Sequence, residues 1–344
     1  MKCFSFIAVA CLLLAVSCTS QKEDVEQVSS IDSILQKEVT YILEEKLKCW
    51  DALFGSAIVM EVQTGQIKAF VGLERNDSIY QSTDYYFCAE HPAGTSRVMS
   101  FMAMLESGKI HLNDTVDTGN GILIVGEDTI RDSNWKIRGG YGEIDVKWGF
   151  LLHSNVATVL CLQKAFQNED EYYKQLNKFP KLDSIKELQR ADDEDVYETD
   201  YIYDAIGYHA SSPVQTLAFY NAIANNGKMV LPQIYKDSTV VISPQIASEK
   251  TINDIQGVMR MSVTEGLCRK AQADSVSVAG YAGTLNIGDN TSLLDFCGYF
   301  PAENPQYSIV VTMCKEGIPA SGGTMAGGVF KEIADYMVRE KFVK

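Results

Sequence analysis

Between residues 31 and 50 the apolar residues Ile31, Ile34, Leu35, Val39, Ile42, Leu43 and Leu47 recur three and four positions apart, the spacing of an amphipathic helix. The pattern then changes. "SAIVMEV", the turn "QTGQ" and "IKAFVGL" predict two strands of a hairpin folded around Gly65. After Gly94 the chain is apolar on nearly every side until Gly108, which predicts a helix buried in the centre of a domain and stopped by that glycine. "SNVATVLCLQKAF" predicts a second buried helix. "SSPVQTLAFYNAIANNGKMVLP" predicts a third, with Pro213 near its start and Asn-Asn-Gly as its stop. Late in the chain "SVSVAGYAGTLNI", "LLDFCGYFP" and "QYSIVVTMC" read as strands, and a last helix is expected over 325–341. Strands at both ends and helices between them imply an α+β domain whose sheet takes strands from both ends of the chain.

The segment before residue 31 has a different character. "MKCFSFIAVACLLLAVSC" carries one charge, Lys2, followed by an apolar run too short to span a bilayer as a stable helix. Its end, "LAVSC", resembles a bacterial lipobox, so residues 1–17 are expected to be a lipoprotein signal peptide and Cys18 to be lipidated. Several acyl chains on one residue would anchor it firmly, at about 0.8 kcal/mol per buried methylene. Residues 18–50 are expected to form a lipidated polar tether followed by the first helix, and 51–344 the main domain. "QKEDVEQ" resembles the acidic export tags of some surface lipoproteins as much as it resembles a solvated linker. The expected location is therefore the outer membrane of a Gram-negative bacterium, on its periplasmic face or on the cell surface.

The 344 residues are 46% hydrophobic and 22% charged, with a formal net charge of −15. That acidity argues against nucleic acid as a partner and against electrostatic docking on anionic lipid. Neither the cysteines nor His91, His111, His153 and His209 follow a metal-ligand spacing, so no metal and no cofactor are expected. Cys161, Cys297 and Cys314 sit in apolar runs and are expected to be buried free thiols. Residues 187–204, rich in Asp and Glu, lack an EF-hand pattern and read as a solvated loop. The glycine-rich "ASGGTMAGG" lacks the Lys-Ser/Thr ending of a phosphate cradle.

Several long stretches resemble, in order, the transpeptidase domain of class B penicillin-binding proteins. They are "AIVMEVQTGQIKAFVGL", "GYHASSPVQTLAFYNAIANNGKMVLP", "FCGYFPAENPQYSIVVTM" and "GGTMAGGVFKEIADYM". The resemblance covers most of 51–344. It implies the penicillin-binding protein and serine β-lactamase-like fold: a five-stranded antiparallel sheet between helices, with an active site at the sheet's edge. It also implies acyl transfer from peptidoglycan stem peptides by a serine that penicillins trap. That chemistry uses S-x-x-K, S-x-N and K-T-G motifs. A hydroxyl is a poor nucleophile without a base, and the lysine one turn along the helix supplies one or sets the local field.

At the matching positions most of this set is missing. Against the first motif stand Thr95 at the nucleophile and Val98 at the lysine; against the second, His153, Ser154 and Asn155; against the third, Tyr281, Ala282, Gly283 and Thr284. No register within 89–110 places a lysine three residues after a serine or threonine. Valine accepts no proton, and tyrosine, with an unperturbed pKa near 10, does not pair with a carboxylate as lysine does. The expectation is a catalytically degenerate domain that binds peptidoglycan stem peptides or a cell-wall enzyme, with weak reversible β-lactam binding as a further property. The alternative is an active acyl-transfer enzyme (a D,D-transpeptidase, carboxypeptidase or esterase) using Thr95 with His153, since histidine is the commonest general base. A β-branched threonine is a hindered nucleophile for that role, and no aspartate is placed by sequence to orient His153. The class B enzymes carry an N-terminal pedestal for which there is no room before residue 51, so a short tether holding the domain near the membrane is expected.

Overall fold

The computed structural model describes residues 28–83, 94–180, 200–209 and 211–344. The expected signal peptide and Cys18 lie outside these residues, as do His91, Cys88 and most of the acidic stretch 187–204.

Helix α1 (Ser33–Trp50) begins where the Asp32 carboxylate accepts hydrogen bonds from the Ile34 and Leu35 amides, at 3.0 and 2.9 Å. It ends at Asp51, which adopts the left-handed conformation. Leu35, Val39, Ile42, Leu43 and Leu47 form its buried stripe; Ile34 falls off that stripe and is exposed. The hairpin β1 (Ala52–Glu61) and β2 (Ile67–Asn76) follows, with a short β3 (Ile79–Ser82) paired to its outer edge. Gly65 at the turn has φ +76°, and a Cβ there would lie 2.3 Å from the Leu231 carbonyl oxygen, so only glycine fits.

The helical region opens with α2 (Arg97–Glu106), and Gly108 follows with positive φ. Short pieces come next: β4 (Thr115–Asp117), β5 (Ile122–Val125), β6 (Asp128–Arg131), α3 (Trp135–Arg138) and β7 (Glu143–Asp145). Then come α4 (Val146–Leu151), α5 (Asn155–Ala165), α6 (Glu169–Leu176), α7 (Tyr201–Tyr203) and α8 (Pro213–Ala224). α8 is fixed by a capping box between Ser212 and Gln215 and is almost wholly buried. β8 (Met229–Val230), β9 (Val241–Ser243) and α9 (Glu249–Thr264) lead to the long strands β10 (Ala279–Gly288), β11 (Thr291–Phe300) and β12 (Tyr307–Glu316); α10 (Met325–Arg339) closes the fold.

The main sheet runs β10-β11-β12-β1-β2-β3 and is antiparallel throughout. Its five long strands are those the sequence leads one to expect; the short β3 adds a sixth. β1 pairs with β12 and β2, so the two ends of the chain meet in mid-sheet. Alternate residues of β1 serve two cores: Ile58 and Met60 face the helices α2, α5, α8 and α9, while Ala57 and Val59 face α1 and α10. α1 packs into the second of these cores, so the folded unit includes the helix that precedes residue 51. Cys161, Cys268 and Cys297 are buried free thiols, and Cys314 is buried as well.

Candidate active site

A cleft of about 360 Å³ lies along the free edge of β10, between the start of α2 and the helical turn Asp204–Tyr208. Three backbone segments crowd at its floor. Gly207 (φ +109°) lies so close to Gly94 that a Cβ on it would meet the Gly94 Cα at 2.6 Å, and a Cβ on Gly94 (φ +107°) would meet the Gly283 Cα at 3.1 Å. The turn before α10 approaches equally closely, since a Cβ on Gly322 would lie 1.9 Å from the Gly283 carbonyl oxygen. The glycine-rich segment thus serves backbone packing, and the Gly322 amide donates to Thr284 Oγ1 at 3.0 Å.

Thr95, at the nucleophile position, is fully buried and does not line the cleft. Its hydroxyl donates to Asp295 Oδ2, on β11 opposite Gly283. Its carbonyl accepts from the Tyr220 hydroxyl at 2.8 Å. Burial raises the Asp295 carboxyl well above the ordinary range, against the opposing effect of the Thr95 hydroxyl and the Thr95 and Gly283 amides. Val98 points into the first core, away from the cleft.

His153 has φ +54°, and its ring stacks on Tyr281 with centroids 4.2 Å apart. Tyr281 stacks in turn on Phe150 (4.3 Å), and Phe150 on Phe101 (4.6 Å). The Tyr281 hydroxyl donates to the Phe150 carbonyl at 3.2 Å. His153 Nε2 lies 4.0 Å from Cys268 Sγ. Enclosure of the imidazole, with the Arg97 charge nearby, pushes its pKa down to about 3, so the ring is neutral. Burial likewise raises the Tyr281 phenol, and burial pushes the Cys268 thiol up to about 11.

The second motif is a structural anchor. Ser154 caps α5 by accepting from the Ala157 amide at 2.9 Å, and its hydroxyl donates to the buried carboxylate of Asp132 at 2.9 Å. Asp132 also accepts from the Val156 amide at 3.0 Å. Asn155 is thereby held at the cleft, where its side-chain amide donates to the Arg131 carbonyl at 3.0 Å.

Two residues absent from the sequence-based site occupy it. Asp295 stands under Thr95. Arg97, two residues beyond Thr95, fills the cleft wall, with Nε and Nη2 donating to the Ile206 carbonyl at 3.1 and 2.6 Å and Nη2 donating to Asn155 Oδ1 at 2.5 Å. Both carried a signal in the sequence: a lone cation at the start of an apolar helix and a lone acid inside "LLDFCGYF". Among the described residues no cluster of His, Cys, Asp or Glu is arranged to hold a metal ion. A more open hollow of about 470 Å³ beside α9 shares no lining residue with the cleft; its Lys147 and Lys250 are already in ion pairs with Asp145 and Asp254.

An antiparallel sheet between two helical layers, with a hydroxyl at the start of a buried helix facing its edge strands, defines a penicillin-binding type of domain. The chain belongs to the penicillin binding protein transpeptidase domain family, which matches residues 55–335. It is 23% identical to penicillin-binding protein PbpB of Mycolicibacterium smegmatis, over 92% of this chain and 56% of that protein. It is also 23% identical to the probable peptidoglycan D,D-transpeptidase PenA of Neisseria meningitidis, over 89% of this chain and 55% of that one. The chain therefore spans about half the length of these relatives. Among solved structures it is similar to the transpeptidase domain of Burkholderia pseudomallei penicillin-binding protein 3, with a TM-score of 0.75 and 21% identity over 92% of this chain and 97% of that one. Among the described residues no helix is long and apolar enough to cross a membrane.

Proposed function

We propose that this protein is a cell-envelope lipoprotein that uses a penicillin-binding domain for reversible recognition, without transpeptidase chemistry. The observation that carries this reading is the Thr95 hydroxyl: it is buried, turned from the cleft and bonded to Asp295. Acyl transfer needs an exposed oxygen, a base beside it and donors aimed at the developing oxyanion. Here the lysine positions hold Val98 and Tyr281, and the imidazole of His153 lies against Tyr281. The partner is a peptidoglycan stem peptide or a cell-wall enzyme, and β-lactams bind weakly without acylating the protein. Cys18 carries the lipid, at the end of a signal peptide covering residues 1–17, and the domain works close to the outer membrane.

The Thr95–Asp295 hydrogen bond also favours a second reading, in which an ionised Asp295 acts as base and a shift of α2 exposes Thr95. Incubation of the purified chain with a fluorescent penicillin, followed by intact-protein mass spectrometry, separates the two. The first reading expects unmodified mass after hours; an adduct that is lost in Thr95→Ala would establish the second.

A further inference from the structure

We infer that the end of the domain from which the chain runs back toward Cys18 is a membrane-resting face, which meets the surface of a zwitterionic bilayer through apolar side chains. The inference rests on Cys18 carrying the lipid, as in the proposed function.

The chain is fixed to the domain at this end. Ser29 forms an antiparallel bridge with Tyr235, the Ser30 amide donates to the Ile234 carbonyl at 2.8 Å, and the Lys236 amide donates to the Val28 carbonyl at 2.8 Å. The buried Ser30 hydroxyl donates to the Ile67 carbonyl at 2.8 Å, and the Asp32 amide to the Lys68 carbonyl at 2.9 Å. Val28 is thus a fixed exit point. Cys18 stands ten positions before it. At roughly 3.3–3.6 Å per residue, that tether spans about 35 Å at most. A domain of about 300 residues has a radius of gyration of about 20 Å and is roughly 50 Å across. The tether is shorter than the domain is broad, so the exit end stays near the bilayer and cannot be the far end.

Apolar surface gathers at this same end. Val28, Ile34, Tyr235, Val240 and Val241 are 38% to 67% exposed. The hydrogen bonds above set Val28 beside Tyr235. The Leu231 amide donates to the Val240 carbonyl at 2.9 Å and Val230 pairs with Val241, which brings in the other two valines. Ile34 lies in the first turn of α1, on the side away from the buried stripe, and Tyr41, seven residues on, continues that side. Single exposed apolar side chains are ordinary, but a group of them around one point marks a contact surface. A tyrosine, apolar in its ring and polar at its tip, suits the edge of a bilayer. The charges between Tyr235 and Val240 are Lys236 and Asp237, opposite in sign. The face therefore does not depend on anionic lipid, which a chain of formal charge −15 would avoid. Because the anchor already holds the domain at the surface, a modest apolar attraction suffices to set its orientation.

Hydrogen exchange tests this. The chain from residue 18, held by an N-terminal hexahistidine tag on phosphatidylcholine vesicles that carry a nickel-chelating lipid, is compared with the same chain free in buffer. The tag stands in for the lipid, so the face is probed whether or not Cys18 is acylated. The amides of 235–241 should exchange at least about fivefold more slowly on the vesicles, while those of the β5–β6 hairpin keep their rates. The protection should persist in about 0.5 M salt, since apolar contact is not screened. Val240→Asp combined with Val241→Asp should return 235–241 to the rate in buffer, with thermal melting used to verify folding. Equal exchange with and without vesicles overturns the inference, and that comparison needs no variant. So does protection that salt removes, or protection of the hairpin in place of 235–241. Protection that appears in buffer as protein concentration rises would mean that a second copy covers the face, and also overturns it. The mass of the chain isolated from the native envelope reports on the anchor separately: Cys18 without acyl chains would remove the lipoprotein reading, whereas acylated Cys18 with unchanged exchange would remove only the resting face.

Discussion

The Thr95 hydroxyl donates to the buried carboxyl of Asp295, across from the β10–β11 pairing of Gly283 with Asp295. One bond thus ties the start of α2 to the second strand of the sheet, underneath the cleft floor. It holds the Thr95 oxygen in the interior, outside the cleft, and gives an acidic side chain inside the core a partner. The two effects have separate signatures in experiment.

The carboxyl of Asp295 should make stability fall as pH rises. Its folded-state pKa is raised above the ordinary value of 3.8, so the folded protein holds this proton where the unfolded chain has lost it. The contribution is fully present below about pH 4 and is lost as pH climbs from there toward the folded-state value, at a limiting slope of about 1.4 kcal/mol per pH unit. Asp295→Asn keeps an acceptor for Thr95 and cannot ionise. Urea midpoints measured from pH 4 to 9 should show the variant gaining on the parent as pH rises; parallel curves would contradict the raised pKa.

His153 acts at the other end of the pH range. Its pKa falls from 6.5 to about 3 in the folded state, so its contribution is present above pH 6.5 and is lost as pH falls from there through 3. Its C2 proton, followed by NMR, should not titrate between pH 8 and 5. His153→Phe, which keeps a ring against Tyr281, should flatten the acid limb of the stability curve. A normal titration midpoint near 6.5 would show that the ring is solvated and open to base chemistry.

Lysines introduced at positions 98 and 281 should not confer acylation by penicillin. Val98→Lys would place an ammonium in the core beside Phe101 and Met102, and Tyr281→Lys would break the stack with Phe150 and His153 next to Arg97. Each should lower stability by about 3 kcal/mol or more, seen as a lower thermal midpoint. Neither, nor the pair, should yield a penicillin adduct, because Thr95 remains turned away.

The cleft floor should tolerate no side chain at Gly207. Alanine there would combine a left-handed φ with a Cβ 2.6 Å from the Gly94 Cα. The strain and the forced separation together should amount to roughly 2–4 kcal/mol. Gly108→Ala, where φ is +70° and nothing lies within 4 Å of the Cβ, is the control that isolates the backbone contribution. Similar losses at the two positions would show that the Gly94–Gly207 approach does not matter.

The anchoring of Asn155 should depend on Asp132. Asp132→Ala would leave the Ser154 hydroxyl and the Val156 amide without their shared acceptor. A loss of about 2–3 kcal/mol is expected. Full stability in this variant would mean that water replaces the carboxylate freely.

The elements were legible along the chain because the long ones are periodic on their own. α1 carries its stripe, α8 its Ser212 cap and Asn-Asn-Gly stop, and the late strands their apolar runs, so local pattern sufficed to define α+β architecture and the strands shared between chain ends. The short pieces β4 to β9 carry too few residues for a pattern to stand out. The residues at the expected motif positions were legible for the same reason: they are identities at spaced positions, and Val98, His153 and Tyr281 can be read without coordinates. What those side chains do depends on residues far away. Asp295 lies 200 positions from Thr95 and reaches it only because β11 runs beneath the start of α2. Arg97 stands in the cleft because the turn at Ile206 supplies a carbonyl for its guanidinium. Sequence determined which side chains stand at the motif positions, since that is a matter of which atoms are present. Tertiary structure alone decided what surrounds them, because burial and hydrogen-bond partners, which set the charge and accessibility of a group, are assembled from segments that local pattern does not connect.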